Sequence, residues 1–234
     1  MINTFSKPPK KKNKALKPGS PLAIALKLKN IKRSGSLYGA VVAGKLVPET
    51  VNYKNFEIGR FEVTRAQYAQ FDSNYKFAPG MENYPANNIG FEQAQKYVAW
   101  LSRLTGSAYR LVNENEAEKI YDAPDVVENT LDYWAGYSVN PEDAARLSPL
   151  IKELQRDAPL LKEVGSFKGV GADELVFDLG GNVAEWVSLT GNKTMAFGGS
   201  ADLPANARVR VRQPAAEYTG FRVVRESKIN AAAN

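Results

Sequence analysis

From Val164 onward the sequence breaks into short apolar runs separated by glycine turns, and this pattern limits the fold more than any other feature. The runs are VGSF, FDLGGNVAEW, MAFGGS, ARVRVR and GFRVV. The segments before them space their apolar residues as helices do. Helices in the middle of a chain followed by short strands predict an irregular α+β domain.

The middle of the chain contains the predicted helices. Residues 56–63 have the pattern of a strand, and Thr64 after them is a suitable N-cap for a helix through Gln70. Residues 91–104 place their apolar side chains on one stripe, and Gly106 ends the helix.

Four further segments complete the expectation for secondary structure. Residues 109–111 are short and extended, and residues 114–121 form a helix with acidic residues in its first turn. One amphipathic helix is expected around residues 142–156. Residues 21–33 alternate apolar and basic side chains, which predicts an edge strand or a short segment that faces a partner.

The sequence contains no cysteine and no histidine. Without cysteine there is no disulfide, no thiolate nucleophile and no thiolate site for copper or zinc. Without histidine there is no imidazole base and no facial iron triad. Catalysis by such a chain would depend on carboxylates, lysine, tyrosine or backbone dipoles, and we expect no copper, iron or zinc.

Positive charge is concentrated at the start of the chain. Residues 1–33 hold ten basic residues and no acidic one, so the other 201 residues hold 21 basic and 25 acidic residues, a net charge of −4. Five lysines in this basic arm are the candidate partner-binding residues: Lys10, Lys11, Lys12, Lys14 and Lys17.

Three interpretations of the basic arm stay open: a solvated tail, a segment that docks on an acidic protein, and a segment that binds nucleic acid. Nucleic acid is the weaker of the two binding hypotheses, because no aromatic residues lie between the lysines to stack on bases. The arm has no apolar core of a signal peptide, and no run approaches the roughly 18 apolar residues of a membrane span. A cytoplasmic or particle-associated protein, including a virion component, is therefore expected.

Four segments in matching order resemble the formylglycine-generating enzyme (sulfatase-modifying factor) family, which has a C-type-lectin-like fold. They are FEIGRFEVTRAQYAQF at 56–71, YPANNIGFEQAQKYVAWLSRLTGSAYRLVNENEAE at 84–118, VGSF with DLGGNVAEWV at 164–187, and FGGSAD with GFRVVR at 197–225. The family has EVT-x-x-QY, YRLPTEAEWE, GNVWEW, GGSW and GFR in these places. The resemblance implies a basic extension at 1–36, a family domain at 37–228 and a short tail at 229–234.

The sequence departs from the family at its reaction centre. In the oxidising members two cysteines that follow the GGS turn hold copper, and these two positions correspond to Leu203 and Arg208. Leucine cannot bind a metal, and arginine offers no lone pair. The resemblance therefore implies a degenerate member that keeps the scaffold and lacks the copper site.

A calcium site of the catalytic relatives matches the loop after Gly180-Gly181. The resemblance implies that Asn182, Glu185 and the carbonyls of Val183 and Val187 bind the ion, and Ca²⁺ prefers such oxygen ligands. The alternative is a purely structural loop, in which the glycines form the turn and Glu185 caps backbone amides.

Two charged patterns need separate interpretation. The first is an acidic run that matches the family: Glu114, Glu116 and Glu118. We expect these acids to be favoured by the helix dipole, and one of them to form a buried ion pair with Arg110 or Arg222. The alternative is proton transfer by two carboxylates.

The second pattern is a run of three alternating arginines, Arg208, Arg210 and Arg212, which would share one face of a strand. That face is either solvated or a surface for an acidic partner.

Together these features favour a non-catalytic binding or structural module of a larger protein assembly, docked through its basic arm. One alternative is a lectin-fold protein that displays a ligand- or receptor-binding surface; the single Asn and single Tyr in residues 201–219 count against it. The other is an oxidase-like enzyme that uses a carboxylate in place of the cysteines.

Overall fold

A computed structural model describes residues 21–121, 130–154, 159–171, 175–191, 193–203 and 213–226. The chain divides into two compact units, residues 1–30 and residues 31–234. The first unit contains helix α1 (Pro21–Lys29), and the second contains all the other elements described below. Within the described ranges no helix combines the length and the apolar composition needed to cross a membrane.

The second unit mixes short strands with helices, as the sequence predicts. Its helices are α2 (Arg65–Tyr68), α3 (Phe91–Thr105), α4 (Glu114–Tyr121), α5 (Thr130–Ala135) and α6 (Pro141–Leu154), with a 3₁₀ turn at Ala216–Tyr218. Its strands are β1 (Arg33–Ser34), β2 (Leu37–Tyr38), β3 (Ala40–Val42), β4 (Lys45–Val47), β5 (Thr50–Tyr53), β6 (Phe56–Gly59), β7 (Tyr109–Asn113), β8 (Ala184–Ser188), β9 (Thr194–Phe197), β10 (Thr219–Gly220) and β11 (Val223–Arg225).

One mixed sheet organises this unit. Within the described ranges its strand order is β10-β8-β7-β11-β6-β5, and β9 pairs with β8 outside that path. Strand β11 lies between β6 and β7 and is antiparallel to both. Strand β8 runs parallel to β7 and β10 and antiparallel to β9. Of the strands in the described ranges, the last one along the chain is thus in the centre of the sheet.

The sheet has a hydrophobic core on each face. Successive residues of a strand point to opposite faces, and Val223 packs in one apolar cluster while Val224 packs in the other. The first cluster includes the buried face of α3, with Tyr97 and Leu101. The second includes Ile120 of α4. A sheet covered on both faces explains why its strands are largely apolar.

Local sequence determines where two of the helices begin and end. Thr64 caps α2: its hydroxyl accepts from the Gln67 backbone N–H, and the Gln67 side chain accepts from the Thr64 backbone N–H. Helix α3 ends at Gly106, which adopts the left-handed conformation with φ of 68°. The predicted helix at 114–121 is confirmed with the same bounds.

Several predicted elements are corrected. The segment at 21–33 is not a strand: residues Pro21–Lys29 form a helix, since proline suits the first helical position and alanine, leucine and lysine favour helix over the short alternating pattern. The strand at 56–63 ends at Gly59, and α2 ends at Tyr68, before Gln70. VGSF at 164–167 is not a strand, and α5 was not expected. The ARVRVR run lies outside the described residues.

Candidate functional site

Two glycine turns, the DLGGN loop and the GGS turn, lie against each other. Gly181 has a φ of 107°, and a Cβ at this position would lie 1.7 Å from the carbonyl oxygen of Gly199. The Gly199 backbone N–H donates to the Gly180 carbonyl at 2.9 Å. Only glycine allows so close an approach of two backbones. The DLGGN loop therefore directly supports the GGS turn.

Arg222 lies at the centre of the buried polar network beside these turns. Its side chain is fully buried. Its Nη1 donates to the Gly59 carbonyl at 2.8 Å, and its Nη2 donates to the Phe177 carbonyl at 2.9 Å. Arg222 immediately precedes strand β11 and connects the end of β6 to the segment that precedes the DLGGN loop. The guanidinium thus joins three separate parts of the chain.

Glu185 is the anionic partner of Arg222. Arg222 Nη2 lies 2.9 Å from Glu185 Oε1, and Nε donates to Oε2 at 3.0 Å. The Tyr121 hydroxyl donates to Oε2 at 2.7 Å. Burial lowers the pKa of Arg222, but the carboxylates of Glu185 and Glu62 raise it above its ordinary value overall. Burial, together with the charge of Glu185, raises the pKa of Tyr121, so this hydroxyl stays protonated as a donor.

Two more carboxyl groups are buried in the same network. Glu62 and Asp178 are almost completely inaccessible to solvent. Asp178 accepts from the backbone N–H groups of Gly165 and Phe167, the latter at 3.0 Å. Burial raises the pKa of Asp178 to about 6 although these two amides favour its ionised form. Burial and the nearby charge of Asp178 raise the pKa of Glu62 well above its ordinary value.

The two side chains predicted to bind calcium have other partners. Asn182 Oδ1 accepts from the Lys162 backbone N–H at 3.0 Å, and its Nδ2 donates to the Lys162 carbonyl at 2.7 Å. Glu185 accepts from Arg222 and Tyr121, not from backbone amides. Val187 lies inside β8, between β7 and β9, and Val183 is fully buried in an apolar cluster.

This donor set does not fit a calcium ion in the observed arrangement. A cation between Asn182 and Glu185 would meet the positive charge of Arg222 and would have to displace the Lys162 backbone from the amide. Among the residues that the structure describes, no group of three or more acidic, histidine or cysteine side chains could hold a metal. Calcium binding at this loop stays a prediction of the sequence, with these contacts against it.

Leu203, the first of the two positions that the resemblance assigns to copper-binding cysteines, follows the GGS turn. The Ser200 backbone N–H donates to the Leu203 carbonyl at 2.9 Å, which closes the turn. The buried Ser200 hydroxyl donates to Asp202 Oδ1 at 2.6 Å, and Asp202 Oδ2 accepts from the Ala215 backbone N–H at 3.3 Å. The Asp202 carboxylate and the Ser200 hydroxyl thus lie beside Leu203, the first of the two positions. The second position, Arg208, lies outside the described residues.

Two acidic side chains of α4, Glu116 and Glu114, form hydrogen bonds with neighbouring residues of the fold. Arg110 forms two hydrogen bonds with the Glu116 carboxylate, both at 2.7 Å, which gives the ion pair that the sequence predicts for Arg110. Arg222, the other expected partner, pairs with Glu185 instead. Glu114 lies at the surface, where it accepts from the Thr190 hydroxyl at 2.9 Å. The three acids do not form a common carboxylate pair for proton transfer.

The predicted partner-binding residues lie outside the described part of the chain. These are Lys10, Lys11, Lys12, Lys14, Lys17, Arg208, Arg210 and Arg212. Their role stays a prediction.

Sequence reasoning missed the buried network around Arg222. It did not single out Glu62, Asp178 or Tyr121. One pattern pointed to the two acids, because each is an isolated carboxylate within an apolar segment, FEV and FDL. A charged residue in such a segment is unusual unless it has a buried partner.

The mixed sheet, its helices and the paired glycine turns define an α+β domain with a C-type-lectin-like fold. A family model described as the sulfatase-modifying factor enzyme 1-like domain matches residues 33–227. The chain belongs to this family, as the resemblance of its four motifs implied.

Solved structures similar to this chain share low sequence identity with it. PvdO from Pseudomonas aeruginosa is 19% identical with a TM-score of 0.47, and the match covers 74% of this chain and 80% of PvdO. Treponema denticola variable protein 1 is 15% identical with a TM-score of 0.45, covering 78% and 93%. CarF is 18% identical with a TM-score of 0.43, covering 81% and 96%. No curated protein sequence matches the chain.

Proposed function

We propose that this chain is a non-catalytic member of the sulfatase-modifying factor family that serves as a binding or structural subunit of a larger protein assembly. The observation that carries the proposal is the replacement of both copper-ligand positions, by Leu203 and Arg208, in a sequence without any cysteine or histidine. No side chain of this protein can supply a thiolate, the soft ligand by which the oxidising members hold copper.

The buried polar groups beside the turn support the same proposal. Arg222 and Glu185 bind each other and the backbone of neighbouring segments. In this arrangement their charges stabilise the fold, and neither group is left to act on a substrate. A scaffold that keeps its core and lacks the reactive ligands suits reuse as a binding module.

The basic arm is the proposed contact with the assembly, and a virion or another large particle is the proposed setting. Ten positive charges without an acidic residue need water or an acidic surface. Arg208, Arg210 and Arg212 would add a second basic surface for the same kind of partner. The partner is expected to be an acidic protein rather than a nucleic acid, because no aromatic residues lie between the lysines of the arm to stack on bases.

A charge-reversal experiment tests the docking proposal. The variant changes Lys10, Lys11, Lys12, Lys14 and Lys17 to glutamate, and a matched control changes the same five residues to arginine. We expect the glutamate variant to fold and to be lost from the assembly purified from the native source, whereas the arginine control is retained. Retention of the glutamate variant would contradict docking through the arm.

A direct assay tests the absence of copper chemistry. The purified protein is titrated with Cu(I) and then incubated in air with a cysteine-containing peptide. We expect no stoichiometric copper uptake and no conversion of cysteine to formylglycine in the peptide mass spectrum. Uptake of one equivalent of Cu(I) would overturn the non-catalytic assignment.

An oxidase that uses a carboxylate is the second candidate, and the contact between Asp202 and Ser200 favours it. Asp202 is a nearly buried carboxylate at the turn where the family holds its reactive groups. Oxygen consumption with a mixture of peptides, abolished by Asp202→Asn, would support this candidate. If the wild type consumes no more oxygen than Asp202→Asn does, this candidate is wrong and the binding role remains the proposal.

A further inference from the structure

Glu62 is a fully buried acid without a hydrogen-bond partner. Its side chain is 0% exposed, and neither carboxylate oxygen accepts a hydrogen bond from any described residue. An ionised carboxylate in such a position loses its hydration and gains nothing in return. The charges and hydrogen-bonding groups around Glu62 therefore determine whether it is protonated.

Arg222 does not satisfy Glu62. The nearest approach, from Arg222 Nη2 to Glu62 Oε2, is 3.8 Å, which is too long for a hydrogen bond. The same Nη2 already donates to Phe177 O and to Glu185 Oε1, both at 2.9 Å. Arg222 thus lies within ion-pair distance of Glu62, but its hydrogen bonds go to Glu185 and to backbone carbonyls.

Asp178 is the partner that Glu62 has within reach. The Phe177 backbone N–H, next to Asp178 in the sequence, donates to the Arg60 carbonyl at 3.0 Å, and Arg222 Nη2 lies 2.9 Å from the Phe177 carbonyl and 3.8 Å from Glu62 Oε2. The two buried acids thus meet beside one guanidinium group. Two ionised carboxylates cannot form a hydrogen bond with each other, because both only accept. Asp178 is the better anion of the two, since it accepts from the backbone N–H groups of Gly165 and Phe167. A proton on Glu62 would give Asp178 a third donor and would remove the repulsion between the two groups.

We propose that Glu62 and Asp178 share one proton in the folded domain, and that loss of this proton at alkaline pH weakens the packing of the DLGGN loop. Asp178 begins this loop, whose Gly180 carbonyl accepts from the Gly199 N–H of the GGS turn. Repulsion between two ionised carboxylates would push Asp178 outward and disturb that contact. The packing of the DLGGN loop against the GGS turn thus depends on the protonation of this pair.

The other charged and titratable groups that face this pair do not remove the effect. Arg222 attracts both carboxylates, Glu185 repels Glu62, and the more distant Tyr121 stays protonated because its pKa is raised well above its ordinary value. The pKa values of both acids lie above those in an unfolded chain, that of Asp178 at about 6. The folded state therefore binds more protons than the unfolded state once the pH exceeds the usual carboxyl range, near 4.

The sign of the pH dependence follows directly. The stabilisation from the shared proton is fully present below the ordinary carboxyl pKa of about 4, and it is lost as the pH rises through the raised pKa values of the folded pair. Stability should then decrease from mildly acidic to alkaline pH. Where one proton is taken up on folding, the folding equilibrium constant falls about tenfold for each pH unit.

The test is urea unfolding of the full-length protein between about pH 5.5 and about pH 8.5. The variant Glu62→Gln keeps a neutral donor to Asp178 at every pH. The matched control Glu92→Gln removes an exposed carboxylate on α3. We expect the unfolding midpoint to fall with pH in the wild type and in the control, and to be nearly constant and higher at alkaline pH in Glu62→Gln.

Infrared spectroscopy provides a readout that does not depend on the variant's stability. The wild type at neutral pH should show the C=O stretching band of a buried protonated carboxylic acid, and this band should disappear at alkaline pH. An unfolding midpoint that is constant or rises across the range, or a wild-type spectrum without the band, would overturn the proposal. If Glu62→Gln does not fold, the wild-type titration and spectrum still decide the question.

Discussion

The carboxylate of Glu185 and the guanidinium of Arg222 form an ion pair in the core, with Oε1 and Nη2 2.9 Å apart and neither side chain more than 1% exposed. Each group also has further hydrogen bonds, from Tyr121 to Glu185 and from Arg222 to the carbonyls of Gly59 and Phe177. A buried pair requires such additional partners, because its desolvation penalty is large. The pair therefore connects β8 to the residue that immediately precedes β11, and the further hydrogen bonds of Arg222 reach Gly59 and Phe177.

Replacing Arg222 with methionine should strongly destabilise the domain. The substitution leaves Glu185 buried without a counter-charge, and removal of one partner from a buried pair typically costs about 3–5 kcal/mol. Chemical denaturation measures the loss. The control Arg146→Met removes the partner of Asp143 at the surface, where the arginine side chain is 79% exposed, and should cost less than about 1 kcal/mol. Equal effects of the two substitutions would contradict a structural role for the buried pair.

Gly181→Ala should prevent the two glycine turns from packing. The new Cβ would overlap the Gly199 backbone, so the turns would have to separate. We expect a loss of at least about 3 kcal/mol in the free energy of unfolding, in the upper range for a single substitution. The comparison is Gly44→Ala, at a positive φ of 76° with open space around it. Gly44→Ala should cost only the strain of the left-handed backbone conformation, about 1–2 kcal/mol in the free energy of unfolding. A similarly small loss for Gly181→Ala would show that the close approach of the two turns is dispensable.

Chelation of calcium should leave the melting temperature unchanged. Asn182 is held by the Lys162 backbone and Glu185 by Arg222, so the loop is complete without an ion. Thermal unfolding in excess chelator and in excess Ca²⁺ measures the difference, because an ion that binds only the native state raises its stability by mass action. A lower melting temperature in chelator, abolished by Glu185→Gln, would establish the calcium site that the sequence predicts.

Much of the fold could be predicted from local sequence. The α3 helix follows from its apolar stripe and its terminal glycine, and the cap of α2 follows from Thr64 with Gln67 three residues later. These features act over a few residues and are therefore visible in the sequence. The prediction was wrong at Pro21–Lys29, where nine residues of alternating pattern also have high helix propensity, so periodicity alone gave the wrong element.

The candidate site was predictable only in part. The two glycine turns and Leu203 could be placed by motif, and the Arg110 ion pair was expected on α4. The partner of Arg222 could not be identified, because Glu62, Glu185 and Glu116 are all acids in family-like motifs and sequence alone does not tell which one lies beside it. The structure selects Glu185 of β8, whose carboxylate lies 2.9 Å from the guanidinium of Arg222.

The sequence by itself determined the family, the helices with clear caps, and the absence of any thiolate or imidazole ligand, since each depends on residue identity or on short-range spacing. Only the tertiary structure decided that Glu62, Asp178 and Glu185 surround Arg222. Together with Arg222 these residues lie in three separate segments of the sequence, and a charge becomes stable in the core only when distant segments bring its partners together. Whether each acid is a calcium ligand, an ion-pair partner or a proton carrier is therefore a property of the folded domain.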